Sequence, residues 1–498
     1  MSVTSLNFLC FIAFSVLIYY LLPEKRKPGV LLLLSFLFIA SYDVRGIAFL
    51  AATAFLIWRC GLRLEALQNS QEDDKQRRRK RRSVLLVTVI LTAGILVVLK
   101  YLGPITAGLF FPRAGLRFFV PIGLSYYTLQ AISYVVDVYW GRVPAERKYH
   151  RLLLFLCYFP QILQGPISRY GDLSRELFEK NHQFRVQNLK YGVQLILWGC
   201  FKLLVVGDKT HVIVSEAFHS GSTAYGLAAF LGLMFFGFEL YANFSGGIDI
   251  IRGVSQCFGI TLAENFRQPF FSRSLGEFWR RWHITLGTWM KDYIFYPISM
   301  SRPMSRFKKK LKLHMDRKMA NRIPIALTNI LVFLLVGLWH GLGTNYVIWG
   351  LYNGIILAFS EVMALTYEKA KKRLSISSDG KLWNGFCLLR TFLIITIGWC
   401  TDCADTASGS AMIIVNMLQL TRTDFGIFHA SAFGFAKAIF SIALMVLVDL
   451  IHEKGYSVRD EVGKRHYLLQ ILFWTALIQL IACFGRTATL GGLMYAGF

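Results

Sequence analysis

The chain has 498 residues, of which 55% are hydrophobic and 17% charged, with a net charge of +26. Its apolar runs repeatedly exceed the roughly 18 residues that separate membrane-spanning helices from buried core helices, which excludes a soluble globular protein. The excess of positive charge does not mark a nucleic-acid binder, because 45 of the 55 Lys and Arg residues fall in alternate loops between the apolar runs. With the N-terminus outside, that asymmetry places all of these loops in the cytoplasm.

In chain order, spans are expected at residues 6–22, 29–43, 46–64, 84–102, 118–139, 190–207, 223–244, 323–340, 345–365, 383–400, 431–451 and 466–484. The first is a retained helix, since it holds no Lys or Arg and Lys25, Arg26 and Lys27 follow it, the reverse of signal-peptide order. The block from Arg77 to Arg82 reads as a cytoplasmic topology lock against anionic lipid. Residues 151–165 are too short and too broken by Pro160 and Gly165 to span, so they are expected to be re-entrant or interfacial. No internal repeat is visible. The expectation is therefore a single all-α, polytopic membrane domain over residues 1–498, with about 11–12 transmembrane helices plus re-entrant and interfacial helices.

Three segments carry more polar residues than a plain span needs. Tyr126, Gln130, Ser133 and Asp137 recur at the helical period and share one face, either lining a water or substrate path or bonding to neighbouring helices. Glu239 and Asn243 lie one turn apart within a span, followed by an expected break at Phe244-Ser245-Gly246-Gly247 and then Asp249. Lys202 is the nearest cation to Glu239 in sequence terms but sits nearer the other surface, so Glu239 has no obvious partner. Residues 278–295 are too polar to span and sort into two faces. Phe278, Trp279, Trp282, Leu286, Trp289, Met290 and Tyr293 share one arc, and Arg280, Arg281, Thr285, Thr288, Lys291 and Asp292 the other, as in a helix lying in the headgroup layer on the cytoplasmic side. His283 falls at the edge of the aromatic arc.

His340, in Gly337-Leu338-Trp339-His340-Gly341, is read as the only one of ten histidines inside an apolar run. An ionisable group at membrane depth is costly and marks a functional site. Counted from Arg322 at 1.5 Å per residue, it lies about 27 Å along its helix, toward the outer side, while His283 falls on the inner side. Neutral imidazole near pH 7 is suited to take the proton of a hydroxyl during acyl transfer. Of the nine cysteines only Cys400 and Cys403 have a motif-like spacing, and a lone pair of this kind does not make a metal site, so no metal is expected. Plain small residues are the favoured reading of the pair over a disulfide.

Phe278-Trp279-Arg280-Arg281-Trp282-His283, followed by Gly337-Leu338-Trp339-His340-Gly341, resembles the membrane-bound O-acyltransferase family, in its bacterial branch for alginate O-acetylation and teichoic acid D-alanylation. Pro121 to Thr128, Tyr134 to Tyr139, Phe159-Pro160-Gln161, Gly165-Pro166-Ile167 and Glu264-Asn265-Phe266 match in the same order, so the resemblance covers about residues 121–354. It implies transfer of an acyl group to a hydroxyl with His340 essential, and it carries the earlier family histidine onto His283 without fixing its role. Two departures stand out. Phe244-Ser245-Gly246-Gly247-Ile248-Asp249 keeps only the acidic end of the family's Phe-Ser-Gly-Tyr-Ser-Asp, and Ser299 to Lys312 reads as a basic loop where relatives have Gly-Gly-Asn-Arg.

The resulting expectation is an O-acyltransferase in the bacterial plasma membrane with no bound cofactor. Its acyl donor is a thioester, acetyl-coenzyme A or an acyl carrier protein, arriving from the cytoplasm, and its acceptor is an extracellular polysaccharide or a partner acyltransferase. His340 and His283 are the expected catalytic residues. Tyr126, Gln130, Asp137, Glu239, Asn243, Asp249, Trp282 and Trp339 are expected along the substrate path, and Arg280 and Arg281 at the donor's docking site. D-alanyl transfer to teichoic acid is the alternative within the class, and a transporter or flippase the alternative outside it.

Overall fold

The computed structural model describes residues 3–102, 119–218, 223–378, 380–404, 406–429 and 432–485. Among these, nine helices are long and apolar enough to cross a membrane. Three further expected spans form shorter helices, Leu6–Leu21, Lys27–Ala40 and Leu124–Trp140. Residues 118 and 431, where two of the expected spans begin, lie outside the described residues. The described residues divide into two compact units, one from residues up to 200 together with 246–263, the other from 201–245 together with 264–485.

In the first unit the Leu124–Trp140 helix is buried on nearly every side. Its polar stripe is therefore enclosed by protein. Ser133 Oγ bonds back to the Gln130 carbonyl at 2.8 Å and Asp137 pairs with Arg142 at 3.4 Å, whereas Gln130 Nε2 has no hydrogen-bond partner among the described residues. Tyr126 is buried on the same helix. Residues 151–165 fold as two short helices, Tyr149–Cys157 and Phe159–Ile162, and the stretch is buried from Leu152 to Ser168. Irregular backbone in a membrane protein survives where protein covers it, and Gln161 helps by donating to the Phe155 carbonyl at 3.0 Å. Lys27, expected in a loop, is instead buried, paired with Glu24 and donating to the His182 carbonyl at 2.6 Å.

The expected break at Phe244-Ser245-Gly246-Gly247 does not occur. One helix runs from Gly226 to Cys257. The reason lies in packing within its second part, where small residues allow backbones to touch: a Cβ on Gly199 would stand 2.6 Å from the Gly246 carbonyl oxygen, and one on Gly253 would stand 2.6 Å from that of Gly192. Here glycine marks a helix crossing rather than a helix end. Asp249 lies on this part and pairs with Arg252 at 3.6 Å.

In the second unit the dominant feature is a hairpin of Arg317–His340 and Thr344–Arg373, joined by a three-residue turn. Glycines set its spacing. A Cβ on Gly350 would lie 2.6 Å from the Phe333 carbonyl oxygen and one on Gly354 2.8 Å from Ile330 Cα, while Gly337 abuts the Tyr346 carbonyl. Arg322 and Glu361 pair at 2.8 Å toward the other end. The expected basic loop over Ser299–Lys312 is a helix, Arg302–His314, capped by Ser301, whose side chain accepts from the Met304 N–H. Lys, Arg and Leu are good helix formers, and the density of Lys and Arg around Met304, Phe307 and Leu311 makes the segment far too polar to span. Cys400 and Cys403 are both buried in a single turn, Cys400–Cys403.

Overpacking the hairpin destabilises it. Gly350→Ala is expected to cost about 1–3 kcal/mol, seen as a lower thermal midpoint of the purified protein in detergent, whereas Gly385→Ala, in open space on an exposed helix, is expected not to lower the midpoint.

Candidate active site

The segment expected as one interfacial helix over 278–295 is two helices separated by Trp282 and His283: Leu275–Arg281, and Ile284–Met290 continued by the π-helical stretch Lys291–Phe295. His283 holds a left-handed backbone, φ 46° and ψ 52°. For a residue with a Cβ that conformation costs about 1–3 kcal/mol and persists only where surroundings over-determine it. They do so here. Phe266 and Trp282 form an antiparallel bridge, Arg267 N–H donates to the Arg281 carbonyl at 2.9 Å, and Ile284 N–H donates to the Asn265 carbonyl at 3.0 Å. Asn265 Oδ1 then accepts from both Thr285 N–H at 3.0 Å and Thr285 Oγ1 at 2.6 Å. The Glu264-Asn265-Phe266 motif is thus the brace for the histidine that follows it, and Thr285, expected on the polar face, is buried against that brace.

The His283 ring is 5% exposed, and neither of its nitrogens has a hydrogen-bond partner among the described residues. Phe244 stands edge-to-face against it at 4.9 Å. Burial, with the His340 imidazole as the second cause, pulls its pKa from 6.5 down to about 3. The ring is therefore neutral at physiological pH, with one nitrogen able to donate and the other to accept. Buried polar groups are normally satisfied, so an imidazole left without partners points to a bound group that completes it.

His340 closes the Arg317–His340 helix and is half-buried. Trp339 at 5.0 Å and Trp349 at 5.5 Å stand edge-on to its ring, and Tyr346 lies nearly parallel at 6.3 Å. The expectation put the two histidines on opposite sides of a thin barrier; in the structure the rings lie within electrostatic reach of one another. Rise along a straight helix located His340 but carried no information about where the His283 segment turns. That segment reaches the hairpin through Trp279, which packs on Trp349 at 5.3 Å and donates from Nε1 to Asn353 Oδ1 at 3.1 Å.

Of the other expected site residues, Trp282, Trp339, Glu239, Asn243, Arg280 and Arg281 belong to this same unit, while Tyr126, Gln130, Asp137 and Asp249 belong to the other. Trp282 stacks on Phe278 at 5.4 Å beside His283. Arg281 is clamped by Glu453 at 2.5 Å and Glu277 at 2.7 Å, so its charge is locally compensated, whereas Arg280 is exposed. Glu239 does have a partner. Its Oε1 meets His211 Nδ1 at 2.7 Å, and Lys202 instead donates to Ser245 Oγ at 2.9 Å. His211 lies within the membrane-length helix Val186–Phe218, so His340 is not alone in such a run. The π-helical stretch Phe201–Gly207 carries that helix past the apolar limit at 207, which is why the pair was missed. No group of three or more potential metal ligands occurs among the described residues.

A many-helix membrane protein with two histidines in one aromatic-walled centre has the parts of an enzyme acting on a hydroxyl or a carbonyl. The model of the membrane-bound O-acyltransferase family matches residues 148–315 and 317–399, and the chain belongs to that family. The protein is accordingly a multi-pass membrane O-acyltransferase. It is 30% identical over 391 residues to a probable alginate O-acetylase of Pseudomonas aeruginosa, covering 77% of this chain and 68% of that protein. A peptidoglycan O-acetyltransferase of Helicobacter pylori is 27% identical over 61% of this chain and 58% of its own length. A teichoic acid D-alanyltransferase of Bacillus subtilis is 27% identical over 56% of this chain and 67% of its own.

The lowered pKa of His283 has a stability consequence. Between pH 6.5 and about 3 the unfolded chain binds a proton at this residue that the folded chain refuses, so stability falls as the pH drops through that window and is insensitive to this group above it. Thermal melts from pH 7 to pH 4.5 are expected to show a steeper acid-side decline for the wild type than for His283→Gln.

Proposed function

We propose that the protein moves an acetyl group from a thioester donor, presented on the cytoplasmic side of the bacterial plasma membrane, to a hydroxyl of a cell-envelope polysaccharide. The observation that carries this reading is a buried neutral imidazole, His283, with no hydrogen-bond partner among the described residues, within electrostatic reach of a half-buried one, His340. His340 takes the hydroxyl proton as the oxygen attacks the thioester carbonyl carbon; the C–S bond then breaks and the departing sulfur recovers a proton. A neutral His283 offers an N–H to the oxygen on which negative charge develops, a role that burial strengthens. The preference for acetyl rests on relatives named as O-acetylases or O-acetyltransferases of alginate and peptidoglycan. The donor is a coenzyme A thioester or an acyl carrier protein, and exposed Arg280 is the cation available to meet its negative charge. Similarity to a teichoic acid D-alanyltransferase supports a second reading, D-alanyl transfer from a carrier protein.

Alkali-released acyl groups of the cell envelope, measured by mass spectrometry in cells carrying wild type or His340→Ala, test this directly. Loss of the base is expected to lower ester content roughly 10²- to 10⁴-fold at equal protein level. Released acetate supports the first reading and released D-alanine the second. Ester content that survives His340→Ala overturns both.

A further inference from the structure

The Arg302–His314 helix carries six Lys and Arg residues, and no acidic residue occurs between Asp292 and Asp316. None of the six makes an ion pair among the described residues. Arg281 and Arg322 of the same unit, by contrast, are each held by glutamates. Residues on the helix sort into two opposed rows at steps of four and three. Met304, Lys308 and Leu311 are half-buried and form the side against the protein, while Arg302, Arg306, Lys309 and Leu313 are all exposed on the other. Large apolar side chains stand in the open at both ends: Leu313 is 80% exposed, and Met300, just ahead of the Ser301 cap, 76%. Only Met315 and Asp316 separate this helix from Arg317, where a helix of membrane length begins. Its C-terminal end is therefore tethered to the membrane surface.

We propose that the exposed face of the Arg302–His314 helix docks on anionic phospholipid headgroups of the bilayer surface from which the Arg317–His340 helix enters, with Met300 and Leu313 reaching the boundary with the acyl chains. Cations near an anionic membrane are drawn to its phosphates within a Debye length, and an interfacial helix adds the binding of whatever apolar area it buries. Loop charge that only sets topology needs a number of Lys and Arg residues, not their alignment on one face beside exposed Met and Leu. An acidic protein would match the charge, but the two-residue tether holds this helix within reach of headgroups at all times, so the bilayer is the occupant favoured. Its 13 residues extend about 20 Å, enough for several headgroups along the row. Docking of this kind is independent of the acyl chemistry.

The test places a photoreactive residue on the face. Full-length protein with Leu313→p-benzoylphenylalanine is reconstituted into vesicles of phosphatidylcholine with a minor share of phosphatidylglycerol, irradiated, and its lipid adducts identified by mass spectrometry. Leu389, 60% exposed on the Lys381–Gly398 helix, gives the control position. Adducts at 389 are expected to follow the bulk lipid composition. Those at 313 are expected to be enriched in phosphatidylglycerol roughly fivefold or more over its bulk share, the scale of one surface cation. Adding Arg302→Gln, Arg306→Gln and Lys309→Gln together is expected to return the adducts at 313 to the bulk share, and salt to weaken the enrichment where the three cations are kept. The salt titration carries the test by itself should the triple variant not accumulate. Absence of a lipid adduct at 313, adducts there that match those at 389, or an enrichment left unchanged by the triple variant or by salt overturns the proposal. Irradiation in cells separates the other occupant: a protein adduct at 313 in place of lipid overturns docking on the bilayer.

Discussion

The left-handed turn at His283 is possible only because a short antiparallel bridge, with Phe266 against Trp282, holds the chain on both sides of it. Without the Asn265 contacts to Ile284 and Thr285, the favourable course for this segment is to continue as one helix along the membrane surface, with His283 at its edge. The bridge instead breaks the helix, sets His283 against Phe244 and leaves its nitrogens without hydrogen-bond partners among the described residues. A conformational cost of about 1–3 kcal/mol is thereby converted into a fixed imidazole, an arrangement that recurs where strain serves function.

The hairpin that carries His340 solves a different problem. Helices in an apolar medium gain little from hydrophobic contact with one another, so close approach and interhelical contacts must hold them. Gly337, Gly350 and Gly354 provide the approach, and aromatic rings fill the space around the histidine at its end. Trp279 reaching Trp349 couples the two solutions, so that a short polar segment and a long apolar hairpin converge on one centre. Polar side chains within the same unit are paired in ways that keep charge from being isolated: Glu239 with His211, Tyr241 with Asp449 at 2.9 Å, Lys202 with Ser245.

Much of this was legible in order along the chain and little of it in depth. Span positions followed from hydropathy, and the motif residues that surround His283 and His340 were recognisable as a set. The glycine pair at 246–247 was misread as a helix break because glycine carries both meanings, and only the neighbouring Gly199 backbone shows that close packing is the one in force. The partner of Glu239 was missed because a π-helical stretch extends its neighbour beyond the apolar run, and periodicity at 3.6 residues cannot register that change. The basic helix at Arg302–His314 was read as a loop because it lacks the apolar signal of a span.

By itself the sequence determined that the chain is a many-helix membrane protein, which loops carry the positive charge, and that its motifs resemble those of an acyltransferase family, because hydropathy, charge asymmetry and local motifs are properties of short windows. Only the tertiary structure decided that the His283 segment meets the hairpin carrying His340 through Trp279 and Trp349, and that Asn265 braces the turn at His283. Those facts depend on contacts between residues far apart in the chain, such as Trp279 and Trp349, and no local pattern encodes where such segments meet.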